Sequence, residues 1–434
     1  MTDLEKVQKY LKSNVQEYLN LPNANLVGAK LAGAKIPGAN LSGANLSNVD
    51  LSNTFLYGVN LNGADLSGAN LSNSDFLLAD LSNTNLIGAN LTNARNIFNL
   101  IGANLSGANL YNAQISGDLT NANFSNANLS NAYLSFIKLS NTILKNVNFL
   151  GSDLRSTDFS GVDISGLDFS SAILCNIKFE STNLTNTKLI GADLTGADLT
   201  SADLTNSNLS YAKLLDANLT GAIMKGVNLR YANLQKIVFC GDISDANLSN
   251  ANLSEANLSH AILINTNLSK SNLTNTLLLS CKLTNAKLLE ANLSNSNLLG
   301  SNMKSADLTD SNLNGANLAN TNMIDARIIN ADLTNANFFD SILRNAILTS
   351  SNLTGANLTK AYLTDATLAR VNLTNAILNH ANLTHVDLSN SNLTCANLTD
   401  ANLTKVNLSG ANLTGIIREK AKFKKFIDSI FGKL

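Results

Sequence analysis

From residue 26 to residue 413 an apolar side chain, most often leucine, falls at every fifth position with few interruptions, as in "LNGADLSGANL" over 61–71. A period of five fits neither common element. Five helical steps of about 100° carry a side chain off any single face, and an odd spacing along a strand alternates faces. With the leucine at position i, the recurring unit is Ala at i−2, Asn or Asp at i−1, Leu at i, Ser or Thr at i+1 and Asn or Gly at i+2. In a short extended segment i−2 and i point one way, while i−1 and i+1 point the other. The next leucine must also turn inward, so a corner falls between units, at the turn-prone Ser/Thr and Asn/Gly pair. Each pentapeptide is then one side of a prism, with small Ala beside Leu filling a narrow interior.

The tandem motif A-[DN]-L-[ST]-[NG] resembles the pentapeptide repeat family. That resemblance implies an all-β solenoid, a right-handed quadrilateral β-helix of tandem pentapeptide repeats with four units per coil. About 78 units in register at ~4.8 Å per coil predict a rod of about 20 coils and roughly 95 Å. The central phenylalanines test the four-sided reading: Phe149 should stack under Phe169 and Phe159 under Phe179, as two facing columns. The frame slips near 94–100, 115–119 and 239–243. "ARNIFNL" (94–100) reads as a small loop. "ISGDL" and "FCGDI" read as four-residue sides that have lost the inward Ala and pinch the coil.

A solenoid needs its ends covered, and both ends depart from the repeat as short α-helices. Residues 1–21 read as an N-terminal amphipathic capping helix: Thr2 and Glu5 have capping-box spacing, Leu4, Val7, Leu11, Val15 and Tyr18 share a stripe, and Pro22 ends the helix. Residues 22–415 form the β-helix. Residues 416–434 read as a basic amphipathic helix of net charge about +4. It carries Lys420, Lys422, Phe423, Lys424, Lys425, Phe426, Ile427, Ile430 and Phe431. Three roles fit it: a cap on the last coil, a homodimer element (similar proteins are known to dimerise through their C-termini), or contact with an anionic membrane surface.

Composition adds mainly exclusions. The formal net charge of the chain is −1, which calls for no direct nucleic-acid partner. The N-terminus lacks the apolar run of a signal peptide, and the predicted location is cytoplasmic, with a peripheral membrane location as the alternative. Cys281 falls at an inward position, and Cys175, Cys240 and Cys395 at outward ones, so reduced thiols are expected. His260, His380 and His385 sit at corners without a cluster to complete a metal site. Asp153, Asp158, Asp163 and Asp168 fall on four different sides and cannot converge as paired carboxylates must. No catalytic, cofactor-binding or metal site is expected, and the chain is not expected to be an enzyme.

The predicted function is a non-enzymatic, rod-shaped scaffold or protein-interaction module with a protein partner of unknown identity. The first alternative is a topoisomerase-directed DNA mimic, since the resemblance includes proteins of that kind. Duplex DNA of this length would carry roughly 55 negative charges, whereas the repeat region holds about 26 acidic and about 21 basic residues, which disfavours the idea. The second is a membrane-surface adaptor held by the C-terminal helix. Late in the chain the side centred on Leu253 to Leu413 is a nearly uniform Asn/Thr ladder. Its opposite and neighbouring sides break the pattern with Ile324, Arg327, Ile329, Ile342, Arg344 and Ile347. Apolar residues with Arg over two coils make that cluster the predicted partner surface.

Overall fold

The computed structural model describes residues 1–13 and 18–418. The chain forms two compact units, Met1–Asp203 and Leu204–Leu434. Within each, the i−1 residue of one side pairs in parallel with the i−1 residue one coil on. In the first unit Asn40 pairs with Asn60 and Asn45 with Asp65; in the second, Asn292 pairs with Asn312 and Asn297 with Asn317. Twenty residues are four pentapeptides, so each coil has four sides.

The corners follow from the residue types. Ala64 N–H donates to Leu61 O at 2.9 Å, and the residue before it, Gly63, has φ 67°. Asn73 holds the same place with φ 57°. A closed four-residue turn with its third residue left-handed is the type II pattern, and Asn tolerates that region better than other non-glycine residues. On the outside, Asn70 Oδ1 accepts from the N–H of Ser72 in its own unit at 3.2 Å and from Asn90 Nδ2 in the next coil at 3.1 Å. One side chain therefore braces its own turn and ties two coils.

Inside, the phenylalanines stand in the expected columns. Phe149 and Phe169 stack with centroids 4.9 Å apart and planes 5° apart, and Phe159 lies 5.6 Å from Phe179. The two columns meet edge to face, with Phe159 and Phe169 at 6.0 Å and 89°. The interior is also less uniformly apolar than an Ala/Leu rule implies. Many i−2 places hold fully buried Ser or Thr, among them Thr54, Ser74, Thr182, Ser301 and Ser391. Most of their hydroxyls find carbonyls, Ser296 Oγ being without a partner. Thr84 Oγ1 donates to Leu81 O in its own corner at 2.7 Å. Ser74 Oγ instead reaches into the corner of the preceding coil, donating to Leu51 O at 2.6 Å and accepting from Thr54 N–H at 3.3 Å.

The slips correct three expectations. "ARNIFNL" is not a loop: it contains β1 (Ile97–Asn99), which pairs in parallel with β2 (Ile115–Asp118). The first two slips stack on one another, each supplying the partner the other's irregular backbone needs. Nor are "ISGDL" and "FCGDI" sides without an inward residue. Lys138 N–H donates to Gly117 O and Ile262 N–H to Gly241 O, which is the bond made elsewhere to the inward Ala. The glycines stand at that inward place, and it is the corner that is a residue short. They are obligatory there: a β-carbon on Gly117 would lie 2.3 Å from Phe98 O, and one on Gly241 would lie 2.8 Å from Ala222 O.

At the N-terminus, α1 (Asp3–Lys12) carries the Thr2–Glu5 capping box. It ends at Ser13, well before Pro22, because by Asn20 the chain has joined the ladder opposite Asn40. Pro22 occupies a corner of the first unit. Of the expected stripe, Val7 is buried while Leu11 and Tyr18 are exposed. Asp3 Oδ2 accepts from Asn25 N–H at 3.2 Å, holding the helix to the first coil. At the other end, the inward residues Leu408, Ala411, Leu413 and Ile416 are only half-buried. Of the residues read as a C-terminal helix, 416–434, the first do not form one: Ile417 pairs with Asn397 and continues the ladder, while 419–434 lie outside the described residues.

Candidate protein-interaction surface

Following one side of the first unit through both slips assembles a surface that the linear sequence scatters. This side is centred on Ile36, Leu56, Phe76, Ile97, Ile115, Leu134, Leu154, Leu174 and Leu194. Its outward i−1 column is recorded in the pairing Lys35–Phe55–Asp75–Arg95, then Gln114–Tyr133–Asp153–Ile173–Asp193, with β1 and β2 joining the two runs. Beside it run Tyr57, Leu77, Phe98 and, at the corners, Leu78 and Phe136. Eight large apolar side chains on this one side (Phe55, Tyr57, Leu77, Leu78, Phe98, Tyr133, Phe136 and Ile173) are 36 to 74% exposed. The other sides of this unit each carry only a few, such as Ile87 or Tyr111.

Two features separate this aromatic side from scattered surface residues. Leu78 and Phe136 occupy left-handed corners, each at φ 61°, where the other left-handed residues of this unit are Asn, Gly or Ser. A bulky side chain there costs about 1–2 kcal/mol relative to an ordinary conformation. They are also among the most exposed residues of the side, at 64% and 74%, so burial does not repay the strain within the monomer. Second, the slips open a depression of about 320 Å³ lined by Asn96, Phe98, Gln114, Ile115, Ser116, Tyr133 and Ser135. Phe55 and Tyr57 stack with planes 6° apart. Tyr18 lies over Gly38 at the near end, within 2.6 Å of where a β-carbon would be.

Both arginines of this side are paired locally. Arg155 grips Asp153 with its Nε and Nη2, the shortest contact being 2.6 Å. Burial would raise the Asp153 carboxyl, but hydrogen bonds from the Arg155 side chain and backbone outweigh it and hold the group below its ordinary value. Arg95 lies 4.0 Å from Asp75.

The predicted partner surface lies on two adjacent sides of consecutive coils in the second unit. Ile342 follows Asn322 in one column, and Ile347 follows Arg327 in the next. Arg344 and Ile342 are exposed, but Ile324, Ile329 and Ile347 are half-buried, and Arg327 is held 3.6 Å from Asp307. Lys420, Lys422, Phe423, Lys424, Lys425, Phe426, Ile427, Ile430 and Phe431 lie outside the described residues.

From Asp332 to Thr414 the Asn/Thr side of the second unit is a continuous hydrogen-bonded chain. Thr354 Oγ1 donates to Asn352 Oδ1 at 2.7 Å, Asn372 Nδ2 donates to Thr354 Oγ1 at 2.9 Å, and the same two bonds recur at Thr374 and Asn392. The Asp153 to Asp168 quartet lies in four separate columns. His380 faces Asp400 and His385 faces Asp365, and among the described residues no cluster is placed to hold a metal. The four cysteines are free. Burial pushes the Cys281 thiol up to about 12. No helix among the described residues is long and apolar enough to cross a membrane.

Stepping through the sequence by twenties hides the aromatic side, because each slip shifts the column by one residue. Carrying the count through 94–100 and 115–119 is the signal that would have found it.

Comparison with known proteins agrees with the repeat. The family model described as "Pentapeptide repeats" matches in segments from 24 to 239 and from 301 to 417, and "Pentapeptide repeat region" matches 241–318. No curated protein matches. Among solved structures, HetL, a pentapeptide repeat protein involved in heterocyst differentiation regulation from the cyanobacterium Nostoc, is 30% identical over 52% of this chain and 86% of its own, with a TM-score of 0.30. Rfr23 from the cyanobacterium Cyanothece is 30% identical over 31% of this chain and 60% of its own, with a TM-score of 0.13. QnrB1, a plasmid-mediated fluoroquinolone resistance protein, is 18% identical over 49% of this chain and 92% of its own, with a TM-score of 0.20. On the extent of the family match, the chain belongs to the pentapeptide repeat family.

Proposed function

We propose that this protein is a non-enzymatic interaction scaffold, and that the aromatic side of its first unit is the surface it presents. The observation that carries the reading is the gathering of eight exposed large apolar side chains on one side, two of them in strained corners. A contiguous apolar patch of this extent marks a contact site more often than a bare surface, and aromatic anchors are what such contacts favour. A solid prism interior, packed with leucine, phenylalanine and small residues, leaves surface recognition as the means of function.

The reading is tested in cells with a photo-crosslinking amino acid at position 136, compared with positions 342 and 374. Adducts from 136 and none from 374 support it. Adducts only from 342 overturn it in favour of the Ile324–Ile347 cluster, and adducts from no position overturn it altogether.

A further inference from the structure

We infer that the aromatic side pairs with the same side of a second copy of this chain, antiparallel, about a two-fold axis passing at Gln114. This rests on the reading of that side as a contact surface and names its partner.

The first argument is area. Taking ~200 Å² for a whole large apolar side chain, the exposed fractions of the eight residues amount to roughly 770 Å² of apolar surface. That is above the largest patch usual on a monomer and close to the ~800 Å² per partner of a stable complex.

The second argument is charge. The side carries Lys35, Arg95 and Arg155 against Asp75, Asp153 and Asp193, so its formal charge is zero. It meets its own copy without net repulsion and offers little to a strongly charged partner.

Order along the side then chooses the orientation. A two-fold axis lying in the contact plane across the coils sets each column against itself, reversed. With Gln114 against Gln114 of the second copy, Phe55 falls opposite Ile173, Lys35 opposite Asp193, and Arg95 opposite the ring of Tyr133, a cation–π arrangement. Asp75 then faces the Asp153–Arg155 pair, whose guanidinium is exposed. The corner columns also meet, which brings Phe136 toward Phe98 of the second copy, at the lip of the depression. A parallel pairing would set each corner column against the opposite edge and leave Leu78 and Phe136 outside the contact.

The test uses the full chain. Light scattering and sedimentation at micromolar concentration should give a dimer. Phe98→Ser with Phe136→Ser should weaken it about 100-fold or more, while Ile342→Ser leaves it intact. Circular dichroism and the melting transition of each variant keep dissociation separate from misfolding. Gln114→Cys should form a disulfide-linked dimer, mapped by mass spectrometry to position 114 in both chains. A monomer at these concentrations, or a dimer indifferent to the double substitution and lost on truncation after Arg418, overturns the inference. If the purified chain is monomeric yet position 136 crosslinks to another protein, the second copy is wrong and the contact surface stands. If position 136 crosslinks to nothing, both fall.

Discussion

The aromatic side of the first unit and the Asn/Thr side of the second are built from the same pentapeptide, yet they differ in what they leave unspent. On the Asn/Thr side, from Asp332 to Thr414, amide and hydroxyl are taken up by their neighbours, as in the bonds from Asn392 to Thr374 and from Thr374 to Asn372. Its hydrogen-bonding capacity is turned along the stack. On the aromatic side Phe136, Leu78 and Tyr133 gain little from their neighbours and remain half or more exposed. A repeat this regular is a polymer by default, and the proposed recognition falls where the pattern has been broken and the break bears a conformational cost.

The largest effect should come from breaking the platform beneath the aromatic side. In Gly117→Ala the new methyl would meet Phe98 O at 2.3 Å, on a backbone at φ +87°. Urea unfolding should register a loss of about 3 kcal/mol, and dimerisation should weaken with it. Unfolding of unchanged midpoint would mean that β1 and β2 are not packed as described.

The second unit offers a pH test. The native fold keeps the Cys281 proton up to about pH 12, whereas the unfolded chain releases it near the ordinary thiol value of about 8.5. Above that value the native state holds more protons, so stability should fall as pH rises from about 8.5 toward 12. Cys281→Ala should remove that portion of the fall. Native Cys281 should also resist alkylation while the exposed Cys240 and Cys395 react.

A smaller effect is expected on the Asn/Thr side. Asn372→Ala removes its bonds to Thr354 and Thr374 and should cost about 1 kcal/mol with no change in association. The smallest stability effect sharpens the comparison most. Phe136→Asn places a corner-tolerant residue at φ 61° and should stabilise the monomer by about 1 kcal/mol or less, while the dimer is lost. Gain of stability with association intact would sever strain from function at this position.

Much of the architecture was legible because it is repeated. Four sides per coil could be checked from Phe149 to Phe179 alone, since only that count stacks rings on rings. The capping box at Thr2 and Glu5 is a local pattern and was equally readable. What escaped was relational. The slips at 94–100 and 115–119 look like separate defects in sequence, and only stacking reveals that β1 and β2 complete one another. Tyr133 and Phe98 become neighbours across the depression for the same reason. The repeat reads as Ala at i−2, and nothing in it marks the partners of the Ser and Thr found there, because the carbonyls that accept their protons lie in a corner, in some cases one coil away.

Those buried hydroxyls have a consequence for how such a chain finds its own stacking. A sequence of near-identical units can slide by a whole side and still bury leucine on leucine, so apolar contact alone discriminates poorly among misaligned coils. Ser301 donates to Leu278 O and accepts from Cys281 N–H, and Ser391 does the same at Leu368 and Val371. Slid by one side, each would need another corner opened to receive it, or would stay dry and unsatisfied at a cost of about 1–3 kcal/mol. Scattered aperiodically along an otherwise monotonous thread, they act as notches on a key, which let the winding chain tell the right alignment from its many near-copies.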